Sequence, residues 1–143
     1  MNSKWIANFT YGYIDVDRTF DPDVTPNTIE HRFFEQLLNK VEYFKIPFTH
    51  RFRLEHRNLY SQNSYKLINR IRYRFQSKIP ITHKFYGNIS NEFFFQFNGN
   101  ICPENRFYSA LGFYLNKTIA FELGFLRQHI NNQNLNRLQI TVY

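Results

Sequence analysis

The chain has 143 residues, of which 43% are hydrophobic, 20% aromatic and 20% charged, with a formal net charge of +7; it has the size of one domain and not of a multidomain enzyme. Its 17 Phe, 10 Tyr and single Trp offer too much apolar surface for a disordered chain, and no apolar run approaches the roughly 20 residues of a membrane helix. With only 5 Gly and few Ala, a helix-rich fold is disfavoured, and the single Cys102 has no second Cys with which to form a disulfide or share a metal.

Residues 1–16, MNSKWIANFTYGYIDV, contain no basic-then-apolar export segment. Trp5, Ala7, Phe9, Tyr11 and Tyr13 alternate there with Ile6, Asn8, Thr10, Gly12 and Ile14, so the chain starts inside a strand pattern. Either it is not exported or an export signal lay upstream. In the next segment, near residues 29–42, periodicity and context disagree: in EHRFFEQLLNKVEYF, residues 30–44, Phe33, Phe34, Leu37, Leu38, Val41 and Phe44 trace a helical stripe, whereas the surroundings favour a strand. We assign a strand from that context.

Two stretches then alternate with a strongly polar second face. Phe48, His50, Phe52, Leu54 and His56 oppose Thr49, Arg51, Arg53, Glu55 and Arg57; Leu67, Asn69, Ile71, Tyr73 and Phe75 oppose Ile68, Arg70, Arg72, Arg74 and Gln76. This is the period of two that a strand requires. Further on, Phe85, Gly87, Ile89, Asn91, Phe93, Phe95 and Phe97 oppose Lys84, Tyr86, Asn88, Ser90, Glu92, Phe94 and Gln96. The pattern returns at Phe107–Leu115, Ile119–Phe125 and Leu138–Val142. About eight strands are predicted, most near the 9–11 residues of a membrane-spanning strand.

The connections alternate too. VEYFKIP, QSKIP and LNKT are terse; DVDRTFDPDVTPN, YSQNS, NGNICPEN and HINNQNLN are more polar and mostly longer. That is the rhythm of an up-and-down barrel with its loops at one end, and an even strand count puts both termini at the short-turn end. An internal echo, Lys45-Ile46-Pro47-Phe48-Thr49-His50 against Lys78-Ile79-Pro80-Ile81-Thr82-His83, places each Pro at a strand entrance.

A sheet with one apolar and one charged face allows two arrangements: a soluble sheet whose Arg rows face water, or a membrane barrel whose apolar rows face lipid and whose Arg rows face the lumen. The second is favoured. The Phe and Tyr content exceeds the needs of a small core, no second element is evident to cover the apolar face, and Glu30, Glu55, Glu92 and Glu122 are available as partners for the Arg rows.

The succession EHRFFEQLL, HRFRLEHRN, NRIRYRFQ, NEFFFQF, ENRFYSALGFYLNKTIAFELGFLRQ and NRLQITVY, over roughly residues 28–143, resembles the family catalogued as domain of unknown function twenty-four ninety. The resemblance implies a small bacterial outer-membrane barrel with no assigned activity. Members usually carry a signal peptide and further N-terminal strands, so it also implies that residues 1–143 are one β-barrel domain lacking its upstream strands. Outer-membrane barrels tend to end on an aromatic in phase with the lipid-facing residues, but Leu138, Ile140 and Val142 are out of phase with Tyr143.

The candidate site is the cationic cluster Arg51, Arg53, Arg57, Arg70, Arg72 and Arg74, with Glu30, Glu55, Glu92 and Glu122 as acidic partners. It reads either as a structural hydrogen-bond network filling a narrow lumen or as an anion-contacting channel, since the guanidinium fork suits carboxylate and phosphate. The five His show no metal-ligand spacing, so neither metal nor cofactor is expected. Glu55, His56 and Ser61 do not make a hydrolase, because adjacent strand residues face opposite ways and no nucleophile motif is present. Nor is nucleic acid an expected partner, since the Arg and aromatic residues occupy opposite faces. The expected reading is a non-enzymatic outer-membrane barrel whose partners are membrane lipid and small anions; the alternative is a soluble basic β-sheet protein binding an acidic partner.

Overall fold

The computed structural model describes residues 3–16, 28–61, 64–97, 104–130 and 132–143. The connection 17–27 and Cys102 lie outside the described residues. The fold is all-β: one antiparallel sheet of β1 (Ser3–Val16), β2 (Thr28–Tyr43), β3 (Ile46–Ser61), β4 (Ser64–Pro80), β5 (Phe85–Gln96), β6 (Glu104–Tyr114), β7 (Ala120–Ile130) and β8 (Gln133–Val142). Each strand pairs with its neighbours in sequence, which makes a simple meander, and among the described residues β1 and β8 do not pair with each other. No helix among these residues is long and apolar enough to cross a membrane.

The ambiguous segment 29–42 is strand. β2 is paired along both edges, Phe33 opposite Tyr11 and His56, Phe34 opposite Thr10 and Glu55. Phe33 and Leu37 therefore share one face and Phe34 and Leu38 the other, so the helical stripe is divided between the two sides of a sheet.

β5–β8, at 10–12 residues, have about the predicted length, but β1–β4 run to 14–17 residues. The excess comes from segments that read as connections. Only Phe44 and Lys45 separate β2 from β3, both with positive φ (50° and 65°) as the tightest hairpin turn demands. QSKIP is the end of β4, and much of HINNQNLN belongs to β7 and β8. Pro47 does sit at the entrance of β3, but Pro80 closes β4 at its exit. The two copies of the internal echo thus occupy unlike places. In the second, Thr82 serves a turn, its Oγ1 accepting from the Lys84 and Phe85 amides at 3.2 and 3.1 Å.

The two faces are partitioned in reverse of a water-soluble domain. Phe9, Phe52, Phe85, Leu111, Phe121, Leu123, Leu138 and Ile140 are exposed, Leu138 at 82%, whereas Glu55 is 0% exposed and Glu30, Asn88, Glu92 and Glu122 are buried. Outer side chains pack in rows along the register, with ring centroids of Phe48–Phe75, Phe52–Tyr73 and Phe85–Phe113 about 5 Å apart (5.3, 4.9 and 5.1 Å). The sheet also curls. Lys78 of β4 places its Nζ 4.7 Å from the ring centroid of Tyr143, just past β8, while Leu138, Ile140 and Val142 stay on the outer face. Tyr143 is thus out of phase with them, as its position in the sequence indicates.

Two glycines permit this curl on the inner side. Gly112 lies beneath the ring of Tyr86, its direct pairing partner, and Gly124 beneath the ring of Tyr108; a Cβ at either position would overlap the ring. Gly112→Ala is expected to lower stability by about 1–3 kcal/mol through overpacking, read as a shift in the denaturant midpoint. In a Tyr86→Ala background the same change is expected to cost under about 1 kcal/mol, because the overlapping ring is gone.

Candidate functional site

Period-two alternation carries the Arg rows of β3 and β4 and Glu30, Glu55, Glu92 and Glu122 to the inner face. The register then stacks them: Arg51 stands opposite Arg74, and Arg53 opposite Arg72. Like charges directly opposite are destabilising, so the cluster requires counter-charges. These come from the neighbouring positions Glu55, opposite Arg70, and Glu92, opposite Arg74.

Glu55 is the centre. Its Oε2 accepts from Arg70 Nε at 2.6 Å, and its Oε1 from Arg72 Nη1 at 2.7 Å and Arg53 Nη1 at 3.3 Å. A second carboxylate, Glu92, takes Arg51 Nη2 at 2.5 Å and Arg72 Nη2 at 2.9 Å on its Oε1. Arg72 therefore bridges the two acids. Glu30 is held by a bidentate fork from Arg57 (2.7 and 2.8 Å) and by Arg32 Nε at 2.6 Å. The carboxamide of Gln36 receives two further N–H groups of Arg53, at 3.1 and 2.6 Å.

The structure therefore joins five of the six expected arginines to three of the four expected glutamates. The exceptions are Glu122 and Arg74. Glu122 meets no arginine; it accepts from Asn88 Nδ2 (3.1 Å to each oxygen) and from the Tyr108 hydroxyl at 2.7 Å. Arg74 makes no ion pair within 4.0 Å among the described residues.

Other members are absent from the sequence-derived site. Arg106 pairs with Glu104, which also accepts from Gln128 Nε2 at 2.5 Å. The larger surprise is Phe94, 1% exposed on the charged face. The guanidinium carbons of Arg72, Arg106 and Arg70 lie 4.6, 4.8 and 5.3 Å from its ring centroid, so one ring serves three cations. Phe34 does the same for Arg53 at 4.2 Å. Phe94 was visible in the sequence as an aromatic on the polar parity of FFFQF, and that phase was the available signal. In all, Arg32, Arg51, Arg53, Arg57, Arg70, Arg72, Arg74 and Arg106 stand against Glu30, Glu55, Glu92, Glu104 and Glu122, so arginines outnumber glutamates.

His31, His50, His56 and His129 take the other face, and His83 lies in the turn between β4 and β5. His50 Nδ1 lies 2.9 Å from the Tyr73 hydroxyl, His56 Nδ1 2.8 Å from Asn69 Oδ1 and His31 Nδ1 2.7 Å from the Tyr11 hydroxyl. His56 is thus separated by the sheet from Glu55, its neighbour in sequence. Chemically, the inner arrangement can neutralise buried charge and contact an anion.

Comparison with known proteins gives one family. The model described as "Protein of unknown function (DUF2490)" matches residues 1–139, and the chain belongs to that family. The match includes β1, whereas the resemblance read from the residues begins near residue 28. No curated protein and no solved structure matches the chain.

Glu55→Gln removes the charge that three guanidiniums share in a site without solvent. The expected loss is about 3–5 kcal/mol of stability, read from the unfolding midpoint. Glu35→Gln, on the outer face and outside the network, is expected to change it by less than about 0.5 kcal/mol.

Proposed function

Starting from membership of the DUF2490 family and from a sheet with its polarity reversed, we propose that the chain is a non-enzymatic outer-membrane β-barrel protein. The apolar outer rows face lipid, and the arginine–glutamate network fills the lumen. The observation that carries this reading is the partition itself: glutamates without solvent access on one face, and Phe, Leu and Ile open to the surroundings on the other. In water such a surface would drive association, whereas in a bilayer it is the expected exterior.

A second observation supports it. On the outer face, at the end where β3 leads into β4, Tyr11, Tyr13, His31, Tyr60 and Tyr65 form a continuous run of ring contacts on β1–β4. At the corresponding end of β5–β8, Asn91, Asn105, Arg127, His129 and Asn134 surround Phe107 in a shallow hollow. Rings with a polar tip, followed by polar side chains, are what a membrane–water boundary selects. The partners are therefore lipid on the outside and small anions on the inside. A non-catalytic role fits because Glu30, Glu55 and Glu92 are each engaged by two or more guanidinium groups, leaving none of them free as a base.

The test is to refold the purified chain into detergent micelles and compare boiled with unboiled mobility on a gel. A heat-dependent shift together with a β-type circular dichroism spectrum is expected; a monodisperse, water-soluble monomer in detergent-free buffer would sink the membrane reading in favour of a soluble sheet protein. In planar bilayers the filled lumen is expected to give no large open-channel steps. Sustained conductance whose anion selectivity changes when Arg70, Arg72 and Arg74 become Gln would instead make the interior a channel.

A further inference from the structure

One cavity opens on the inner face, between β4, β5, β6 and the end of β8. It has a volume of about 250 Å³, and its lining includes the charged Arg74, Arg106 and Glu92 and the hydroxyl-bearing Ser90, Tyr108 and Thr141. At roughly 30 Å³ per water, that is room for a small polyatomic ion with some of its hydration.

Arg74 stands apart from the arginines around it. It has no ion-pair partner among the described residues, and its buried Nε has no hydrogen-bond partner. Its pairing neighbours are Arg51 on β3, a second cation, and Glu92 on β5. Glu92 is shared, since its Oε1 accepts from Arg51 and Arg72. Glu122, beside the cavity, is likewise taken up by Asn88 and Tyr108. A guanidinium with a buried Nε, next to another cation and with only the shared Glu92 as counter-charge, carries a desolvation cost that is incompletely compensated. Arg74 adds to the surplus of arginine over glutamate on the inner face without an ion pair of its own among the described residues. Around it are hydroxyl groups, the complement a planar fork needs to hold an oxyanion.

We propose that this cavity is a binding site for one small free oxyanion, phosphate or a carboxylate, held by the Arg74 guanidinium with the Ser90 and Thr141 hydroxyls as further donors. This deepens the anion contact assigned above to the interior by selecting one arginine of the cluster for it. It rests on the inner-face geometry and not on the membrane location: a water-soluble chain that binds phosphate would end the membrane reading and leave this site standing.

The experiment is calorimetric titration of inorganic phosphate into the folded full chain, with ionic strength held constant by chloride. The wild type is expected to bind saturably at one site. Arg74→Gln is expected to bind at least about tenfold more weakly, the scale of one lost charge-assisted hydrogen bond, while Arg127→Gln, altered on the outer face, binds as the wild type does. Folding of each variant is checked by circular dichroism. If Arg74→Gln does not fold, Arg74→Lys, which keeps the charge and loses the fork, and Thr141→Val carry the test, each with an expected severalfold loss. Absence of saturable binding up to about 10 mM, a range that covers even weak sites, would overturn the proposal. So would wild-type affinity in all of the folded Arg74 and Thr141 variants, or a preference for short-chain phosphatidic acid over the free ion.

Discussion

A carboxylate cannot be taken out of water unless its charge is met, and Glu55 is taken out entirely. Three guanidiniums converge on it from β3 and β4, and Arg72 extends the set to Glu92 on β5. Once that cluster occupies the inner face, the alternation of a strand leaves the opposite parity no choice but the outside. The apolar rows, the exposed Leu138 and Ile140 and the outer ring contacts all follow from where the charges sit. The sheet is specified from its polar side, where most domains are specified from their apolar one.

Geometry on the inner side is correspondingly tight. Tyr86 and Tyr108 lie across Gly112 and Gly124, and the Tyr108 hydroxyl reaches Glu122 at 2.7 Å. Phe94 plays a part usually given to a core residue, since it is fully enclosed, yet what encloses it includes three cations. An aromatic face is among the few apolar surfaces that can be placed against a guanidinium with a net attraction. Its presence in the middle of the charged face is therefore consistent with the rest of the interior.

Much of this was legible in the residues. Strict alternation in HRFRLEHRN and NRIRYRF fixes which residues share a face, so the Arg rows and Glu55 could be assigned to one side without coordinates. The helical stripe in 29–42 could mislead only because i, i+3 and i+4 spacing also fits two faces of a strand, each with its own apolar residues. Strand ends were less legible. The polar residues of HINNQNLN look like a loop, but a strand needs no apolar side chain where its outer face turns polar, and β7 and β8 continue through them. Pairing partners were not legible either, because Glu122 and Glu92 look alike in sequence and only the register decides that one meets arginines and the other a Tyr and an Asn.

The meander has a further consequence for cooperativity. Among the described residues, backbone pairing joins only strands adjacent in sequence, so every hairpin can form from contacts close along the chain, a topology that favours rapid local assembly. What ties strands that are not adjacent is the side-chain interior: Arg51 to Glu92 from β3 to β5, and Asn88 to Glu122 from β5 to β7. In an ordinary domain a shared apolar core makes distant segments melt together. Here that duty falls to hydrogen-bonded charge, so the hairpins can be early and independent while the act that makes them a single unit is the meeting of buried glutamates with the arginine and asparagine side chains of distant strands.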